Sequence, residues 1–274
     1  METVETWSGK ARTDENFPVG SALISARLRP HVHAFYAFAR NADDIADSAE
    51  LSAEDKLRRL DVMEAVLLGK QADGSPSAAG LRASLAQCGV TSCHATDLLV
   101  AFRRDATQQR YAAWEDLLDY CRFSAMPVGR HVLDLHGETQ ETWPASDALS
   151  ASLQILNHLQ DVRKDFRTLD RCYIPTEIME RFRTDFSDIE AAAATQGFRR
   201  LLDALLDQCD VLNLAAVDLP RRVRDRRLRL ETAVIVGLAQ RLAGRLRRQD
   251  PLAGRVKLSK GDAAGALLAA LRFW

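Results

Sequence analysis

Tyr36, Arg40, Asp43 and Asp47 recur at i, i+4, i+7 and i+11 in a stretch without glycine or proline, Tyr36-Ala37-Phe38-Ala39-Arg40-Asn41-Ala42-Asp43-Asp44-Ile45-Ala46-Asp47. At 3.6 residues per turn this spacing places a phenol, a guanidinium and two carboxylates along one stripe of a helix. Ala37, Phe38 and Ile45 are expected on the opposite side. Carboxylates aligned in this way repel one another by a few tenths of a kcal/mol on an open helix. Mg²⁺ offsets that repulsion, because it takes hard oxygen ligands and usually shares them with phosphates. For an isolated D-D-x-x-D the other reading is a solvated acidic face; the tyrosine and arginine on the same stripe weigh against it. A second stretch repeats the arrangement. Gln154, Asn157, Asp161 and Asp165 fall within one helical arc, the last three at i, i+4 and i+8. Two helices that each offer oxygen ligands at one-turn spacing, facing one another, would form a cage for Mg²⁺ ions and one diphosphate.

The elements that must position these groups are helical throughout. Apolar residues recur at three and four through 21–29, 31–48, 53–69, 78–88, 92–106, 114–138, 146–168, 175–183, 187–217, 219–248 and 259–273. Breaks carry Gly, Pro or Ser, as at Gly69 to Pro76, Gly89 and Pro220. The lowest-complexity patch, Gln71 to Ala79, reads as a surface loop. There is no alternating strand pattern, internal repeat or long linker. Because the acidic helices lie more than a hundred residues apart and must share one cavity, the expected organisation is all-α. The expectation is a single domain over 1–274, its helices around a central apolar cavity with the two acidic helices facing.

Composition agrees. With 274 residues, 47% of them hydrophobic, the chain can bury a core, and a net charge of −1 exerts no global pull on nucleic acid. No apolar run reaches eighteen residues, so no spanning helix is expected. Met1 to Arg12 lacks the apolar core of a secretory signal. Five cysteines, at 88, 93, 121, 172 and 209, form no C-x-x-C, which disfavours a disulfide frame or a zinc site and fits a cytoplasmic protein.

Three further stretches bear on function. Asp119 to Gly129 is helical on both sides of Pro127, which reads either as a kink opening toward a cavity or as a boundary between two helices. Arg171-Cys172-Tyr173-Ile174-Pro175 is a short turn within reach of the second acidic helix. Arg221, Arg222, Arg224, Arg226, Arg227 and Arg229 make the C-terminal third basic. No nucleic-acid reading motif accompanies them, so that partner is disfavoured. A solvated face and peripheral contact with an anionic membrane remain, the latter helped by the apolar, aromatic-tipped segment Leu267 to Trp274.

With these residues in view, the chain resembles the squalene and phytoene synthase family of head-to-head prenyl synthases. The carrying motifs are Tyr36-x-x-x-Arg40-x-x-Asp43-Asp44-x-x-Asp47, Tyr120-Cys121 with Val128-Gly129, Asn157-x-x-x-Asp161-x-x-x-Asp165, and Arg171-x-Tyr173-x-Pro175. Within the family it is most similar to the bacterial hydroxysqualene synthases of hopanoid biosynthesis. That likeness rests on Ser8-Gly9-Lys10, Asp14-Glu15-Asn16-Phe17-Pro18-Val19-Gly20-Ser21, Leu28-Arg29-Pro30-His31 and the stretch from Tyr120 to Gly129. It implies the isoprenoid synthase fold and a Mg²⁺-dependent conversion of presqualene diphosphate and water to hydroxysqualene and diphosphate. A presqualene diphosphate synthase would act before it and a flavin-dependent reductase after it.

The resemblance implies roles as well. Asp43, Asp47, Asn157, Asp161 and Asp165 are expected to hold metal. Arg40 and Arg171 would bond the departing diphosphate, Tyr36, Tyr120 and Tyr173 would steady a carbocation, and Phe17, Gln154 and Asn157 would contact substrate. The chain departs from many relatives in two places: Asp14, Glu15 and Asn16 precede Phe17 where donors are common, and Gln160 stands where an arginine often precedes the aspartate. Both changes remove positive charge, as suits a site that handles one diphosphate rather than two. Two alternatives follow: a synthase making presqualene diphosphate, squalene or phytoene, or a non-catalytic isoprenoid-binding partner. The filled metal-ligand positions disfavour the partner.

Overall fold

The computed structural model describes residues 3–5 and 23–274, and all the regular structure there is helical. Phe17 and the stretch around it lie outside the described residues. Contacts divide the chain into two compact units. One runs to Gln108 and resumes over Pro127–Gln140; the other comprises Gln109–Met126 and Glu141–Trp274.

The first unit contains α1 (Arg29–Asp47), α2 (Ala53–Leu67), α3 (Pro76–Cys88), α4 (Cys93–Asp105) and all but the first residue of α6 (Met126–Leu135). Pro30 starts α1 where its missing N–H costs nothing. Residues 23–28 are turns rather than the helix expected from 21. Phe38 and Ile45 point into a core with Leu60, Met63, Leu81, Leu98 and Leu99, whereas Ala37, expected beside them, is exposed. The stretch 71–79 is only half loop. Ser75 is buried and caps α3 through the Ala78 N–H at 3.2 Å, with Pro76 in the first turn. Residues 3–5 are tied to this cap: Val4 N donates to Gly74 O at 2.8 Å, and Glu5 Oε1 accepts from Ser75 Oγ, Ser77 N and Ser77 Oγ at 2.6, 2.8 and 2.6 Å.

The second unit contains α5 (Trp114–Ser124), α7 (Trp143–Gln160), α8 (Val162–Leu169), α9 (Thr176–Arg181), α10 (Phe186–Glu190), α11 (Gln196–Ala216), α12 (Leu219–Arg222), α13 (Arg226–Arg248) and α14 (Lys260–Ala270). Helix α7 packs on α11, and α13 on α7, α11 and α14. The buried seam carries Ile155, Leu156, Phe198, Leu202, Leu206, Leu242 and Leu246. Within it, Ser152 Oγ of α7 donates to Asn213 Oδ1 of α11 at 2.8 Å.

Helix continuity differs from the sequence pattern at four points. The 187–217 run breaks at 191–195, where Thr195 caps α11 and the Ala194 N–H bonds the Asp250 carboxylate at 2.7 Å; a tertiary bond overrides alanine propensity. The 219–248 run breaks at 223–225, where Val223 is buried and Asp225 caps α13 through the Arg227 and Leu228 N–H groups. The 146–168 run bends at Asp161. The 114–138 run breaks at Ala125, and Pro127 falls in the first turn of α6. Of the two readings of Pro127, the boundary between helices holds.

Candidate active site

Each compact unit carries one of the two acidic stretches. In the first, α1 presents Tyr36, Arg40, Asp43 and Asp47 half-buried along one side, as their spacing predicts. The Arg40 guanidinium forms ion pairs with Asp43, Nη1 to Oδ2 at 2.9 Å, and with Asp44 through Nη2. The Asp44 side chain is almost wholly enclosed, while that of Asp43 is one-third exposed (33%). Asp44 therefore anchors Arg40, and Asp43 reaches outward. The sequence reading left Asp44 out of the site; its i+4 relation to Arg40 was the available signal.

In the second unit Asp161 ends α7 and precedes α8 with φ −104° and ψ 13°, outside helical geometry. Asn157, Asp161 and Asp165 still follow one another by single turns, and all three are half-buried. Arg255, from the segment joining α13 to α14, pairs with Asp161 (Nε to Oδ1 at 3.1 Å). Two neighbours of Asp161 hold that segment. The buried Gln160 amide donates to Val256 O, and the Arg163 guanidinium donates to Leu252 O, Ala191 O and Ile189 O, the last at 3.0 Å. Gln160 thus positions a cation on Asp161 while carrying none itself. Arg255 was missed in the sequence because it lies 94 residues away in a segment without a motif.

Around this acidic stretch the rings cluster. Tyr173 stacks on His158 with centroids 3.4 Å apart, and Tyr120 lies 5.4 Å from Tyr173 and 5.3 Å from Tyr111. Arg171, buried, donates from Nη1 to Tyr173 Oη at 3.2 Å. The Arg171–Pro175 turn is clamped by backbone bonds from Cys172 N to Gln109 O and from Thr176 N to Tyr111 O, both 3.0 Å. His158, absent from the sequence reading, sits between Gln154, whose amide nitrogen is 3.1 Å from Nε2, and Asp165, 3.9 Å from Nδ1. Burial lowers the His158 pKa despite Asp165, which favours the neutral imidazole. An apolar cavity of about 10 Å³, lined among others by His158, Tyr173, Leu117 and Leu205, lies beside the stack. It has room for about one water and none for an isoprenoid chain. Cys121 and Cys172 close the surroundings as inert thiols, pushed up to about 12 and about 11 by burial.

A family model for squalene/phytoene synthase matches residues 10–262. The chain belongs to the squalene/phytoene synthase family. Family members process prenyl diphosphates and generally use a divalent metal. A hydroxysqualene synthase of Sinorhizobium fredii is 46% identical over 90% of this chain and 84% of its own. That of Rhodopseudomonas palustris is 45% identical over 93% and 87%. Among solved structures, the squalene synthase HpnC from Alicyclobacillus acidocaldarius is 33% identical, with a TM-score of 0.76 over 87% of this chain and 90% of its own.

The donor chemistry of this family member suits a hard divalent ion. Each acidic stretch offers carboxylate oxygens one turn apart, and each already draws a guanidinium, Arg40 or Arg255. Among the described residues no three His, Cys, Asp or Glu side chains converge on one point.

Proposed function

We propose that this chain is a hydroxysqualene synthase, converting presqualene diphosphate and water to hydroxysqualene and diphosphate in hopanoid biosynthesis. The observation that carries the reading is near-half identity, over nine-tenths of the chain, with enzymes of that name. In the reaction the C–O bond to diphosphate breaks and the anion leaves with the electron pair. A water oxygen then bonds the cationic carbon and releases a proton. Asp43, Asp47, Asn157, Asp161 and Asp165 would hold Mg²⁺, which would supply Lewis-acid stabilisation of the leaving group. Arg40, Arg171 and Arg255 add charge-assisted donors to its oxygens. Tyr36, Tyr120 and Tyr173 offer π-faces to the cation, worth about 0.5–2 kcal/mol each when dry. Gln154 and Asn157 contact the substrate and His158 holds the Tyr173 ring. Phe17 is assigned to substrate contact on its sequence position alone. The two compact units act as one catalytic domain, with a presqualene diphosphate synthase upstream and a flavin-dependent reductase downstream.

A second reading, condensation of two farnesyl diphosphates, is favoured by one observation. Arg255 returns to Asp161 the positive charge that Gln160 lacks, which leaves only Asp14 and Glu15 to argue against a second diphosphate. Product analysis separates the two. Hydroxysqualene from presqualene diphosphate, with little turnover of farnesyl diphosphate alone, supports the first; presqualene diphosphate formed from farnesyl diphosphate at a comparable rate replaces it.

A further inference from the structure

Helix α14 and the turn after it are packed the wrong way round for a soluble surface. Their inward positions carry Ala266 and Ala270, nearly inaccessible. The small residues let α14 lie close on α13, where a Cβ added at Gly237 would sit 3.3 Å from that of Ala266. The large apolar side chains face outward. Of the eight exposed large hydrophobics among the described residues, four are Leu267, Leu268, Leu271 and Trp274. Their spacing of i, i+1, i+4 and i+7 sets them along one side of the segment. A contiguous apolar stripe of this kind on an otherwise polar surface marks a contact site.

The surroundings of the stripe state what it meets. A pocket of about 530 Å³ is lined by Arg221, Arg229, Arg272, Phe273 and Trp274. Arg226 lies 5.8 Å from the Trp274 ring, and Arg272 lies 4.9 Å from that of Phe273. Two aspartates stand among the six arginines of 218–229. Asp218 pairs with Arg221 at 3.3 Å, and Asp225 is spent as the cap of α13. The face is therefore strongly cationic. Guanidinium groups bind phosphate oxygens in a two-pronged geometry, and a tryptophan with arginines beside it suits the boundary between headgroups and acyl chains.

We propose that this face docks on an anionic phospholipid bilayer. The Arg221–Arg229–Arg272 pocket takes a lipid phosphate, while Leu267, Leu268, Leu271 and Trp274 enter the headgroup boundary. No described helix is long and apolar enough to cross a membrane, so the contact is peripheral. The inference does not depend on the catalytic reading.

The test is flotation of the full chain with vesicles of phosphatidylcholine, with and without 30% phosphatidylglycerol. The altered side chains of Arg221→Gln, Arg272→Gln and the pair Leu268→Ser/Trp274→Ala are all exposed, so the variants keep the fold. Binding is expected only with the anionic lipid. It should fall about five-fold for each arginine removed, by tenfold or more for the Leu268/Trp274 pair, and steeply as salt is raised. Two results overturn the proposal. One is equal binding to neutral vesicles, or none to anionic ones. The other is a concentration-dependent dimer that Leu268→Ser/Trp274→Ala dissolves, which would make the stripe an interface between proteins.

Discussion

Asp43 and Asp161 are the residues whose loss separates chemistry from folding. Each has a half-buried or more exposed carboxylate paired to an arginine that keeps another support: Arg40 retains Asp44, and Arg255 is nearly half exposed. Asp43→Ala or Asp161→Ala is therefore expected to reduce turnover at saturating Mg²⁺ below a tenth of wild type, with unchanged circular dichroism and thermal midpoint. Retained turnover would remove the metal assignment. Arg255→Gln deletes a charge-assisted bond worth about 1.5–3 kcal/mol, so turnover should fall roughly 10- to 150-fold. His131 tests a different property. It is 1% exposed, lies flat on Phe35 at 3.9 Å, and among the described residues neither ring nitrogen has a hydrogen-bond partner. Burial, with His94 from α4 and His31 from α1 nearby, lowers its pKa to about 3. Across the window between that value and the ordinary 6.5 the unfolded chain binds the extra proton, so stability falls as pH falls. At pH 5 the loss is about 2 kcal/mol relative to neutral pH. His131→Phe keeps the stack and removes the titration. Its denaturation midpoint should drop less than that of wild type between pH 7.5 and 5; an equal drop would place the acid sensitivity elsewhere.

At the scale of elements, the helices were legible where the apolar period was uninterrupted. α1, α2 and α4 start and stop within two residues of their expected limits; Ser52 caps α2 through a local bond, and Pro30 starts α1 because it lacks an N–H. The breaks within long runs were not legible. Ala191–Ala194 has the composition of helix, and the bonds from the Ala194 N–H to Asp250, 56 residues on, and from Arg163 to Ala191 O show why it is not. The start of α3 depends on one backbone geometry. Gly74 has φ +112°, and an added Cβ would lie 2.9 Å from Val62 Cγ1. Gly74→Ala should therefore cost about 2 kcal/mol, read as a lower urea midpoint with activity per folded molecule unchanged. No loss of stability would mean that the turn relaxes and that the cap with Glu5 matters little.

For the whole molecule the decisive expectation is the fate of water. Presqualene diphosphate turned over in H₂¹⁸O should give hydroxysqualene labelled in the hydroxyl group. Under the proposed function, in which water quenches the cation, adding NADPH should not change the product. Squalene appearing only with NADPH would return the chain to the full squalene synthase reaction. The spacing of Tyr36, Arg40, Asp43 and Asp47, and of Asn157, Asp161 and Asp165, determined which side chains share a helix side. That follows from a local period of 3.6 residues and needs no partner. Only tertiary structure decided which cation meets Asp161, which ring stacks on Tyr173, that Asp44 is the enclosed member of its pair, and that α14 turns its leucines outward. Each depends on a segment distant in sequence arriving at a side chain, and local spacing carries no record of that arrival.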